Sequence, residues 1–73
     1  MKKQNQQIID LIDHFGSQVK TAEALKVKQP TVSAWLHNTH GVSAGVALRL
    51  QRITYGKFLA VDYCAQLKEG YHA

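Results

Sequence analysis

The sequence predicts an all-α, compact domain of four or five helices, and three observations predict it. First, Gln18 to Leu36, QVKTAEALKVKQPTVSAWL, carries its apolar residues at Ala22, Leu25, Val27, Val32 and Trp35, with small or polar residues between. Second, Ile8, Ile12 and Phe15 recur at i, i+4 and i+7, as do Val46, Leu50 and Ile53, which is the period of a helix with one buried face. Third, strand signals are poor: the apolar run outside these periods is Phe58 to Val61, with no partner run to pair with.

The elements follow in order. Residues from about Asn5 to His14 form a first helix that buries Ile8, Ile12 and Phe15, with Ile9 and Leu11 alongside. Gly16 ends it, and Ser17 sits where its side-chain oxygen can cap the helix starting at Gln18. In this second helix, Ala22 three residues before Leu25 leaves room for a neighbouring helix to pack close. Pro30 sits where a third helix begins, since a proline suits a first helical turn whose N–H would be unpaired anyway. Val32 and Trp35 share the buried face of that helix. After the polar loop Asn38 to Ser43, Ser43 caps a fourth helix that buries Val46, Leu50 and Ile53, and Arg49 and Arg52 share another face. Gly56 closes it, and Phe58, Leu59 and Val61 return apolar side chains to the core. A last helical turn is expected near Val61 to Leu67, with flexible ends at 1–4 and 69–73.

Seventy-three residues make one domain, near the lower limit at which a hydrophobic core alone holds a fold. Residues 1–73 are accordingly read as one unit. No run of about 18 apolar residues could span a membrane. Met1, Lys2 and Lys3 are followed by no apolar segment of the kind a secretory leader needs. The single cysteine, Cys64, excludes an internal disulfide, and a cytoplasmic protein is expected. The net charge is +4. Between Gln18 and Lys57 stand Lys20, Lys26, Lys28, Arg49, Arg52 and Lys57 against Glu23, so six cations oppose one acid where the paired helices lie. That coincidence suits a surface that meets phosphates.

Chemistry points the same way. With Val32 and Trp35 buried, the third helix is left with Lys28, Gln29, Thr31, Ser33, Ala34 and His37 on its outer side. Glutamine pairs in a bidentate manner with the N6 and N7 edge of adenine, serine and threonine pair with several bases, and alanine touches a thymine methyl. Other chemistries fare worse. Ser, His and Asp form no nucleophile motif, no glycine-rich phosphate loop is present, and the five acids offer no catalytic pair, so no enzyme activity and no cofactor are expected. His37 and His40 straddle a helix end and a loop, which does not match the spacing of a four-ligand zinc site, so no metal is expected. Aromatic side chains are few and mostly apolar-face residues, which leaves little for RNA base stacking. Trp35 is a core residue, and Cys64 a small buried or half-buried one.

The run FGSQVKTAEALKVKQPTVSAWLHN resembles the helix-turn-helix of phage Cro and repressor proteins, and looks most like the Cro-like and YdaS-like prophage regulators. The resemblance covers about residues 8 to 67. It implies the lambda repressor-like DNA-binding fold, in its all-α form, because Ser43 to Ile53 has helical periodicity where lambda-type Cro proteins have a β-hairpin. It implies a sequence-specific regulator that occupies operator DNA through its third helix, with double-stranded DNA as partner and a weak homodimer forming on it. No small-molecule ligand is implied. Base reading falls on Lys28, Gln29, Pro30, Thr31, Ser33, Ala34 and His37, and phosphate contact on Ser17, Gln18, Lys20, Asn38, Thr39, Arg49 and Arg52. One position departs from the family pattern: Lys26 stands where glycine is usual, at a cost of about 1 kcal/mol if the backbone there is left-handed. The YdaS-like resemblance also implies a second role, an antitoxin-like module whose partner is a protein.

Overall fold

The computed structural model describes residues 4–64, and these contain five α-helices and no strand. They are α1 (Gln6–Phe15), α2 (Gln18–Leu25), α3 (Gln29–Leu36), α4 (Ala44–Ile53) and α5 (Ala60–Tyr63). The chain divides into one unit that ends at Gly41 and holds α1–α3, and a second that begins at Val42 and holds α4 and α5.

In the first unit α1, α2 and α3 pack on one another. Local chemistry fixes their ends. Asn5 caps α1, its Oδ1 accepting from the Gln7 backbone N–H at 3.0 Å, and Ser17 caps α2, its Oγ accepting from Lys20 N–H at 3.0 Å. Between them Gly16 has φ 110°, a conformation that strains any residue with a Cβ, and its N–H closes α1 by donating to the Ile12 carbonyl at 2.8 Å. α2 and α3 end in the same way without glycine. Lys26 (φ 57°) and Asn38 (φ 59°) each take the left-handed position. The next N–H then reaches back five residues, from Val27 to the Ala22 carbonyl at 2.9 Å and from Thr39 to the Ala34 carbonyl at 2.8 Å.

The core of this unit is Ile8, Leu11, Ala22, Leu25, Val32, Trp35 and Leu36. Thr21 is also fully buried, which its polarity did not foretell; its hydroxyl donates to the Ser17 carbonyl at 2.8 Å, so burial leaves no orphaned group. In α1 the buried residues are Ile8 and Leu11, while Ile9, Ile12 and Phe15 are half-buried, so the expected stripe through Ile12 and Phe15 is rotated toward Leu11.

In the second unit α4 and α5 pack on one another. Ser43 caps α4, its Oγ accepting from the Val46 N–H at 3.4 Å. Tyr55, at φ 53°, makes the left-handed turn after α4, ahead of Gly56. The Thr54 hydroxyl donates to the Leu50 carbonyl at 2.7 Å and accepts from the Phe58 N–H at 3.3 Å; Gln51 Oε1 accepts from the Ala60 N–H at 2.9 Å and ties the start of α5 to α4. The buried residues are Val42, Ala47, Leu50, Ala60 and Cys64. Two expectations are corrected here. The buried face of α4 runs through Ala47 and Leu50, with Val46 half-buried and Ile53 exposed. Phe58, Leu59 and Val61 do not return to a core: Phe58 is half-buried, and Leu59 and Val61 are exposed, while Ala60 between them is buried. The last helix is Ala60–Tyr63; its expected extension toward Leu67, and the flexible ends apart from Gln4, lie outside the described residues. No helix among the described residues is long and apolar enough to cross a membrane.

Candidate nucleic-acid interface

α3 is two turns long, about 12 Å, and its two sides differ in chemistry. Val32, Trp35 and Leu36 are buried. On the other side Gln29, Ser33 and His37 recur at i, i+4 and i+8, one above the next, with Pro30 and Ala34 in the adjoining row. Gln29, Pro30, Thr31 and His37 are exposed, and Ser33 and Ala34 half-buried because they flank the seam with the core. Lys28 is the N-cap residue of α3 and is exposed. Five of the seven candidate base-reading residues therefore occur in two adjoining rows of one helix, with Lys28 just ahead of the helix and Thr31 exposed outside those rows.

Two further features give that face its electrostatic sense. Neither α2 nor α3 has an acidic residue in its first turn, so the partial positive charge of each helix start is not offset. Lys20 and Lys28 add full charges at those same ends, and both are exposed. Ser17 and Gln18 lie at the start of α2, half-buried; Asn38 and Thr39 follow the end of α3 and are exposed. Arg49 and Arg52 stand three residues apart on α4, in the second unit, half-buried and exposed respectively.

The starts of α2 and α3 are joined by a bond that the sequence pattern did not single out. Gln29 Nε2 donates to Gln18 Oε1 at 2.6 Å. A carboxamide has two donor hydrogens and an acceptor oxygen, so Gln29 retains one N–H and its carbonyl after this bond. That pair is the set a bidentate contact with an adenine edge requires. Gln18 in turn keeps its own NH₂, a donor suited to a phosphate oxygen. The end of α3 is joined to the start of α1 in a similar way: the Asn5 N–H donates to the Leu36 carbonyl at 2.8 Å and Asn5 Nδ2 donates to Asn38 Oδ1 at 3.1 Å. Residues 33 and 11 apart in sequence gave no local signal of either pairing. Among the described residues no group of three or more His, Cys, Asp or Glu is placed to hold a metal ion.

Comparison with known proteins adds two likenesses. A family model described as bacterial toxin YdaS matches residues 8–67. The regulatory protein cro of Pseudomonas phage D3 is 49% identical over 55 residues, which is 75% of each of the two chains. No solved structure matches.

Proposed function

Because the chain belongs to the family described as bacterial toxin YdaS, and shares half its aligned residues with a phage regulatory protein, we propose that it is a cytoplasmic, sequence-specific DNA-binding regulator. α3 enters the major groove of operator DNA and the protein represses by occupying a promoter. The observation that carries this reading is the Gln18–Gln29 bond: it holds the one bidentate-capable side chain of α3 in place while leaving its base-pairing groups available. Lys28, Gln29, Pro30, Thr31, Ser33, Ala34 and His37 face the bases. Ser17, Gln18, Lys20, Asn38, Thr39, Arg49 and Arg52 meet phosphates, and two copies act together as a weak dimer on one operator. Repression by occupancy is steric and calls for no catalysis or cofactor.

Selection of bound sites from a random DNA pool, followed by titration over a range of salt, tests the reading. Expected are a preferred sequence and an affinity that falls steeply as salt rises, since each cation set on a phosphate releases a counterion. A second reading keeps a YdaS-like role in which the partner is a protein; the family description, a toxin where the sequence led to an antitoxin-like module, leaves it open, and the exposed Leu48, Leu59 and Val61 support it. A role exercised through protein alone predicts neither a preferred sequence nor a salt-dependent affinity for DNA.

A further inference from the structure

α3 is held by a carboxamide pair at each end, and the pair at its C-terminal end has no place in the base-reading scheme. Asn5 links the start of α1 to that end. Its Oδ1 caps α1 by accepting from the Gln7 N–H, its backbone N–H donates to the carbonyl of Leu36 in the last turn of α3, and its Nδ2 donates to Asn38 Oδ1. Asn38 occupies the left-handed position that ends α3, with φ 59°, where glycine is the residue of lowest cost. Its partner N–H bonds, from Asn38 to the Trp35 carbonyl at 3.1 Å and from Thr39 to the Ala34 carbonyl at 2.8 Å, are backbone bonds that glycine would make equally well. What a glycine would not supply is the acceptor for Asn5. Asparagine suits the left-handed turn, and its side chain also supplies the acceptor that ties the end of α3 to α1.

We propose that Asn5 is a positioning residue for DNA recognition: by bonding Asn38 it fixes the C-terminal end of α3 against the start of α1, and so sets the angle at which Ser33 and His37 approach the bases. The inference rests on the reading of α3 as the DNA-facing helix. Asn5 itself sits at the start of α1 and acts through Asn38. Gln29, at the other end of α3, is held independently by Gln18.

A double-mutant cycle on the full chain tests this, with the DNA sequence preferred by the wild-type protein as probe and melting temperature as a second readout. Asn5→Ser retains a good N-cap for α1 but has no carboxamide to reach Asn38. Asn38→Gly removes the acceptor while relieving the left-handed backbone, so it holds or raises the melting temperature. Each variant is expected to lose about two- to tenfold in affinity for the preferred site, the worth of one hydrogen bond. The double variant is expected to lose no more than Asn38→Gly alone, which also gives up the phosphate contact proposed for Asn38. Losses that add would mean that Asn5 acts independently of Asn38, and would overturn the proposal. So would full affinity in both single variants. A wild-type protein without any sequence preference would overturn the proposed function and this inference with it, which is a different result from unaffected variants of a protein that does discriminate.

Discussion

The side-chain NH₂ of Gln29 donates to the side-chain carbonyl of Gln18 at 2.6 Å, across the turn between α2 and α3. Each residue restricts the other's rotamers, so the entropy of fixing a long amide is met before DNA arrives. Gln29→Ala is expected to lower affinity for the preferred site by about 1–3 kcal/mol and to relax discrimination mainly at one base pair. Gln18→Ala is expected to weaken the same discrimination less, because Gln29 remains but is no longer held. Titration against the preferred site and its single-base variants checks both. Equal weakening by Gln29→Ala on all sequences would remove Gln29 from base reading.

Trp35 anchors α3 from the opposite side and is 2% exposed. Removing a buried tryptophan side chain costs roughly 3–5 kcal/mol, a large part of the stability of about 5–15 kcal/mol typical of small domains. Trp35→Ala is therefore expected to unfold the first unit and to lose DNA binding as a consequence. Far-ultraviolet circular dichroism is the measurement. A variant that keeps native helicity and melting temperature would contradict the burial of Trp35.

The turn after α2 offers a stabilising change. Lys26 lies at φ 57° and ψ 43°, with its side chain exposed. The Val27 and Lys26 N–H groups satisfy the carbonyls of Ala22 and Glu23, so the turn itself is well bonded and only the Cβ is out of place. Lys26→Gly is expected to stabilise by about 1 kcal/mol, a rise of about 4–8 °C in melting temperature for a chain of this size. Lys26→Ala removes the same charge but keeps the Cβ, and is expected to give no such rise. Equal melting temperatures for the two variants would separate the backbone argument from the observed φ.

What the sequence made legible and what it did not have physical reasons. The caps Ser17 and Ser43, the terminator Gly16 and the buried Val32 and Trp35 are written in short-range chemistry, where a hydroxyl two or three residues from a free N–H or a three-residue apolar spacing is enough. The phase of α4 is not legible in the sequence because its buried face holds Ala47, a small residue that contributes little to an apolar pattern. The larger Val46 and Ile53 on either flank drew the predicted stripe to themselves. The same holds after Gly56, where small Ala60 is buried and bulky Leu59 and Val61 are not, while Cys64 is buried as expected. At the candidate interface, the exposed polar row of α3 followed from the period of the helix. The bonds Gln18–Gln29 and Asn5–Asn38 did not, since each depends on how separate helices meet.

Those exposed bulky residues bear on assembly. Leu48, Ile53, Leu59 and Val61 are 52%, 38%, 46% and 44% exposed, all in the second unit, and Tyr55 is almost fully so. One helix of two turns reads few base pairs, and useful selectivity comes from two copies on a two-fold site with half-sites about 34 Å apart. Self-association through the α4–α5 segment would cover these side chains, but four partly exposed aliphatic residues make a small surface, so the free protein is expected to be mostly monomer at micromolar concentration. On a palindromic preferred site, gel-shift titration is expected to show two protomers binding cooperatively. Leu48→Gln and Leu59→Gln alter no charge and bury no new group; both are expected to reduce cooperativity while leaving the binding of the first protomer within about twofold. Strictly independent binding of one protomer per site on every palindrome would defeat the dimer and leave the role of α3 standing.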